Sequence, residues 1–238
     1  MKQETRPPSY KHHRFPPEII GHAVWLYFRF ALSYRDVEEL LAERDIILTY
    51  ETIRQWCRKV GQAHANALRR RRSRPGDKWH LDEVLVNING TQHYLWRVVD
   101  HDEQVLDILV QARRDRAAVV KSLRKLLKGL AYVPRVLITD KFASDGAAQR
   151  EVLPSVEHRR HKGLNNRAEN AHQPTHERER QMRRFKSPGN AQRFLAAYGP
   201  IASHFRPRRR RLTAEFYRAT RTERFARWRA VTGTPAVA

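Results

Sequence analysis

Three carboxylates stand where a folding chain has least use for them. Asp82 falls on the same strand parity as Val84, Val86 and Ile88, so alternation puts an acid on a face with three aliphatics. Asp140 directly follows the apolar run Val136-Leu137-Ile138-Thr139, at the C-terminal end of a short buried strand. Strand ends of this kind are where α/β proteins hold ligands. Glu169 follows Asn165-Asn166-Arg167-Ala168, near the start of a helix that either asparagine can cap. Each has a plain structural alternative: a satisfied core acid, a helix cap, a partner for the helix dipole. Together they make a set of oxygen ligands from separate elements, suited to Mg²⁺ or Mn²⁺. Two such ions, about 3.5–4 Å apart, serve both the attacking and the leaving oxygen of a phosphodiester displacement.

The rest of the composition agrees with a phosphate substrate. The chain has 238 residues, with 47 Lys and Arg against 25 Asp and Glu, a formal net charge of +22. A surface this basic attracts polyanions. With 40% apolar residues a sizeable core is expected, and wholesale disorder is not. The single cysteine, Cys57, rules out an internal disulfide and a cysteine-rich zinc site. No run of 18 apolar residues occurs and the polar start has no signal-peptide core, so an intracellular protein without a membrane span is expected.

The acids need elements to position them. Trp79–Asn89 and Gln92–Asp100 read as a hairpin across Asn89-Gly90, and Gln104–Gln111 as a third strand. A helix over Arg116–Lys128, a strand over Arg135–Thr139, a short helix over Gly146–Leu153 and a last strand over Val156–Arg159 follow. From Asn165 onward the pattern is helical, with Pro174 expected to break or bend the helix after Glu169. This is an α/β mixed sheet. Before it, Pro16-Pro17 opens a first helix, Ser33 caps a second with Val37, Leu40 and Leu41 inward, and Thr49 caps a third on Ile53, Trp56 and Val60. Arg54, Gln55 and Arg58 lie off that last stripe, as the reading helix of a helix-turn-helix requires. The arginine run Arg69, Arg70, Arg71 and Arg72, ahead of Pro75-Gly76, reads as a basic linker. The expected division is 1–76 (helix-turn-helix and linker), 77–205 (catalytic core) and 206–238 (basic helical tail).

The ordered segments Trp79-His80-Leu81-Asp82-Glu83, Tyr94–Asp100, Thr139-Asp140-Lys141, His161–Glu169 and Arg184-Phe185-Lys186-Ser187 resemble the bacterial DDE transposases of the insertion sequence six family. The resemblance runs from the helix-turn-helix to about Phe205. It implies an RNase-H-like, retroviral-integrase-type core with Asp82, Asp140 and Glu169 as the acids that bind two Mg²⁺ or Mn²⁺ ions. It also implies DNA cleavage and strand transfer through cointegrates, by a dimer or larger assembly on the element's terminal inverted repeats and target DNA. A bacterial cytoplasmic, nucleoid-associated protein follows. Beside the acids, Lys141, Lys162 and Arg167 are candidates to neutralise phosphate, while Arg54, Gln55 and Arg58 would read the repeats and Arg69–Arg72 grip the backbone. One departure is the second gap: 57 residues separate Asp82 from Asp140 but only 28 separate Asp140 from Glu169, fewer than the family's usual number. Spacing alone points near Glu177; the Asn-Asn-Arg-Ala-Glu context selects Glu169. The alternatives are an inactive transposase-derived DNA-binding regulator and an RNase-H-like nuclease that cuts without joining.

Overall fold

The computed structural model describes residues 7–72, 74–102, 104–113, 116–139, 149–160, 166–206 and 212–234, and for 118 and 166–171 the backbone. The chain forms two compact units: Ser73–Ala196, and the residues up to Arg72 together with those from Ala197.

The second-named unit is helical. It opens with α1 (Pro17–Arg29), α2 (Tyr34–Ala42), α3 (Tyr50–Lys59) and α4 (Gly61–Arg71). Ser33 and Asp36 make a reciprocal capping box at α2, Ser33 Oγ accepting from Asp36 N at 3.1 Å and Ser33 N donating to Asp36 Oδ2 at 2.7 Å. Thr49 Oγ1 caps α3 through Thr52 N at 3.4 Å. Ile20, Val24, Val37, Leu41, Ile53 and Trp56 are buried, but Leu40 is 45% exposed and lies off the stripe expected to include it. A nine-residue helix meets its neighbours along one narrow seam, and Val37 and Leu41, one turn apart, fill it.

The arginine run is not a linker. Arg69, Arg70 and Arg71 form the last turn of α4, a fourth helix not expected from the pattern. His64, Ala65, Ala67 and Leu68 give it a buried stripe, and cations at its C-terminus suit the helix dipole. The segment expected to be a tail also belongs to this unit. It carries the last helix, α8 (Ala214–Thr232; α5 to α7 follow below), whose Trp228, Val231 and Thr232 are buried. Trp228 meets His64 edge-on, and Trp25, Phe205 and Phe225 form an aromatic cluster.

The α/β unit holds β1 (Lys78–Ile88), β2 (Thr91–Asp100), β3 (Val105–Gln111), α5 (Arg116–Leu130), β4 (Val136–Thr139), β5 (Glu157–Arg160), α6 (Asn166–Gln181) and the first part of α7 (Pro188–His204). The sheet order is β3-β2-β1-β4-β5. The first three strands are antiparallel and β4 and β5 run parallel to β1, the RNase-H-like arrangement. Asn89 and Gly90 turn the β1–β2 hairpin with φ of 51° and 82°, a geometry that Asn-Gly accepts at little cost. One sheet face packs Trp79, Leu81, Trp96, Val98 and Leu137 against Val119, Val120, Leu123 and Leu126 of α5. The other face lies under α6. The edge strand β3 is covered by a side chain of α7: Gln192 Oε1 accepts from Val110 N at 2.8 Å and Gln192 Nε2 donates to Ile108 O at 3.2 Å.

Pro174 neither breaks nor ends its helix. α6 runs sixteen residues with Pro174 inside it. Beyond the proline Thr175 is bonded to Arg97 of β2 and Arg178 is buried over the Phe194 ring, so tertiary packing overrides the local preference.

Candidate active site

Strand alternation along β1 sends Trp79 and Leu81 toward α5 and His80, Asp82, Val86 and Ile88 to the opposite face. Asp82 is therefore an acid on the apolar face under α6. It is 8% exposed. Its register partner on β2 is Arg97, which antiparallel pairing places on the same face. Three buried side chains surround this position: Arg97 and His172, each 4% exposed, and Thr175, fully buried. His172 Nε2 lies 3.3 Å from Asp82 Oδ2, and Arg97 Nη2 donates to Thr175 Oγ1. His172 and Thr175 are three residues apart on α6 and so share its inner face.

Burial is the main reason that His172 has a pKa below its ordinary value. The nearby Asp82 carboxyl opposes this, while Arg97 and His176 add to it. The ring thus tends to the neutral form near neutral pH. The 3.3 Å contact lies outside directed hydrogen-bond geometry, and neither ring nitrogen is satisfied by one. A buried carboxylate beside a neutral imidazole is a donor set that accepts a hard divalent cation. Among the described residues no group of three or more His, Cys, Asp or Glu side chains gathers to hold a metal ion.

The other expected acids are placed as follows. Thr139, the last residue of β4, is the parallel register partner of Leu81, immediately before Asp82. Asp140 and Lys141, next in the chain, lie outside the described residues, as does Lys162. Glu169 and Arg167 lie on the backbone of α6, with side chains outside the description. Among the described side chains of α6, the buried ones are His172, Thr175, Arg178 and Glu179. Position 169 extends that stripe by one turn toward the N-terminus. Glu177, the alternative by spacing, is exposed and accepts from Gln173 Nε2 at 3.3 Å. His172 and His176, four residues apart, meet different acids, His176 Nδ1 standing 3.5 Å from Glu179 Oε2.

On α3 the candidate reading residues have partners of their own. Arg54 grips Glu51 through two hydrogen bonds of 2.7 and 2.6 Å, and that grip holds the Glu51 carboxyl below its ordinary pKa. Gln55 Nε2 reaches the same carboxylate at 3.4 Å, and Arg58 is exposed. In the arginine run Arg70 is exposed; Arg69, Arg71 and Arg72 are half-buried, Arg69 donating to Asn66 Oδ1 at 3.0 Å.

The sequence reading assigned no site role to Arg97 or Thr175, and noted His172 only for its spacing from His176, as an unfavoured zinc ligand. Their signals were present. Arg97 interrupts an apolar face of β2 formed by Leu95 and Val99, and His172 stands one turn after Glu169.

Among the described residues no helix is long and apolar enough to cross a membrane. The sequence profile of a family described as a DDE domain matches residues 76–208. The transposase for insertion sequence-like element IS431mec of Staphylococcus aureus is 28% identical over 208 residues, covering 85% of this chain and 91% of its own. Two solved structures align at a TM-score of 0.41 and 16% identity. The HTLV-2 integrase catalytic core domain in complex with magnesium covers 52% of this chain and 83% of its own. The catalytic domain of Mos1 mariner transposase covers 74% of this chain and 95% of its own.

Proposed function

Because this chain belongs to the DDE transposases, within the insertion sequence six family, we propose that it moves its own element by cutting at the terminal inverted repeats and joining the freed 3′ ends to target DNA. The product is a cointegrate. The observation that carries this reading is Asp82: a buried carboxylate in contact with His172, under the helix that bears Glu169.

In this reading Asp82, Asp140 and Glu169 hold two Mg²⁺ or Mn²⁺ ions. Bound there, the ions would supply Lewis-acid stabilisation of charge on the attacking and leaving oxygens. The chain's own residues do the rest. Leu81 and Thr139 are register partners, so Asp82 and residue 140 each lie one peptide beyond a paired position on adjacent strands. Position 169 continues the inner stripe of α6 over the same strands, whereas Glu177 lies on the outer side. Lys141, Lys162 and Arg167 neutralise phosphate beside the acids.

The helices α2 and α3 supply the DNA-reading module. Arg54, Gln55 and Arg58 read the repeats, and Arg70 with its neighbours contributes backbone affinity. The chain acts in the bacterial cytoplasm at the nucleoid, as a dimer or larger assembly that brings two element ends together.

A joining assay tests this. A supercoiled plasmid carrying the element's ends is incubated with a second plasmid and Mg²⁺, using wild type, Asp82→Ala and Glu169→Ala. Joined plasmids with wild type alone are expected. Joining by Glu169→Ala would move the third acid elsewhere. End binding without cutting in every lane would make the protein a regulator, and cutting without joining a nuclease.

A further inference from the structure

We propose that Arg97 and Thr175 are positioning residues: their hydrogen bond pins α6 to the sheet so that the turn bearing Glu169 is held over Asp82. This rests on the reading of Glu169 given above. The bond links the register partner of Asp82 to the helix that contacts Asp82 through His172. The four side chains therefore form a closed loop through β1, β2 and α6, and each is buried.

A single contact lets a helix rotate or slide about it. Two contacts at successive turns remove both freedoms. His172–Asp82 and Thr175–Arg97 are such a pair. They also straddle Pro174, and this is why two are needed. Proline has no N–H to donate to the carbonyl of residue 170, so the ladder of α6 lacks a rung between the turn of Glu169 and the turn of Thr175. The helix is weakest at the point where the position of its N-terminal turn is set. One external contact on each side of the proline replaces that missing internal support.

The choice of residues argues for positioning over bulk stability. Burying a guanidinium is costly, and the neighbouring positions on the same face, Leu95 and Val99, are fully buried apolar side chains. An aliphatic residue at 97 would pack there without that cost. A long side chain with a donor at its end is needed to reach from β2 to the hydroxyl of Thr175 on the covering helix.

The test uses the full chain as wild type, Thr175→Val, Thr175→Ser, Arg97→Lys, Thr175→Val with Pro174→Ala, and Asp82→Asn. Three quantities are read for each: binding of a duplex carrying the element end, cleavage of it over a Mg²⁺ series, and the rise in melting temperature on adding Mn²⁺. Thr175→Val is expected to bind the duplex like wild type and to need roughly tenfold more Mg²⁺ for half-maximal cleavage, with the Mn²⁺ response displaced similarly. Thr175→Ser and the added Pro174→Ala are expected to restore both. Arg97→Lys, which keeps the charge and loses the fork, is expected to fail as Thr175→Val does, and carries the test if that variant does not fold. Wild-type cleavage and Mn²⁺ response in Thr175→Val, or no rescue by Pro174→Ala, overturns the proposal. Cleavage by Asp82→Asn at the wild-type rate instead overturns the metal-site reading beneath it.

Discussion

His172 Nε2 lies 3.3 Å from Asp82 Oδ2, and both side chains are withdrawn from solvent. The contact joins the central strand of the sheet to the helix that covers it. Replacing His172 by Phe keeps the ring's bulk and removes its polar edge. The variant is expected to fold and to bind element ends. Its cleavage rate is expected to fall by about 10–100-fold, measured at saturating DNA and Mg²⁺. An unchanged rate would mean that the imidazole only fills space.

The helical unit contains two histidines that burial pushes down to about 4, His64 and His204. Both are neutral in the fold and ordinary in the unfolded chain. Their contribution is complete above the unfolded pKa of about 6.5 and is lost as pH falls toward the folded value. Charging His64 fully would cost on the order of 3 kcal/mol. Melting temperature measured at about pH 7 and about pH 5 should fall with acid, and less steeply in His64→Gln.

Gln192 supports the edge of the sheet through hydrogen bonds to Val110 N and Ile108 O. Leucine at this position keeps the volume and leaves both backbone groups without that partner. Gln192→Leu is expected to lose about 1–3 kcal/mol in denaturant unfolding. The exposed edge should also self-associate at high concentration, visible by light scattering.

Arg54 is held by Glu51 before any DNA arrives. If that grip aims the guanidinium at a base edge, Arg54→Ala and Glu51→Ala should both lose preference for the terminal repeat, by at least about tenfold in competition binding. Arg70→Ala should instead weaken all duplexes alike and lower the salt dependence of binding by about one charge. Equal loss on repeat and random DNA for Arg54→Ala would remove it from sequence reading.

Much of the site was legible because its signals are local. Strand parity put Asp82 on the face of Val86 and Ile88, and that face is buried. Asn89-Gly90 placed the hairpin, since two consecutive positive φ angles favour these residues. The acid-bearing motifs, read in order, pointed to the family. What sequence could not decide was every feature set by partners distant in the chain. Pro174 reads locally as a break, yet α6 continues because residues beyond it are buried on the sheet. The arginine run reads as a linker, yet the stripe from His64 to Leu68 makes it the end of a helix. Residues 206–238 read as a tail, yet Trp228 joins the helical core. Arg97 and Thr175 are 78 residues apart, and only the packing of α6 on β2 brings them within hydrogen-bond reach. Local patterns determine which segments are strands and helices and which side chains share a face; which faces meet is determined by burial, and burial is a property of the whole fold.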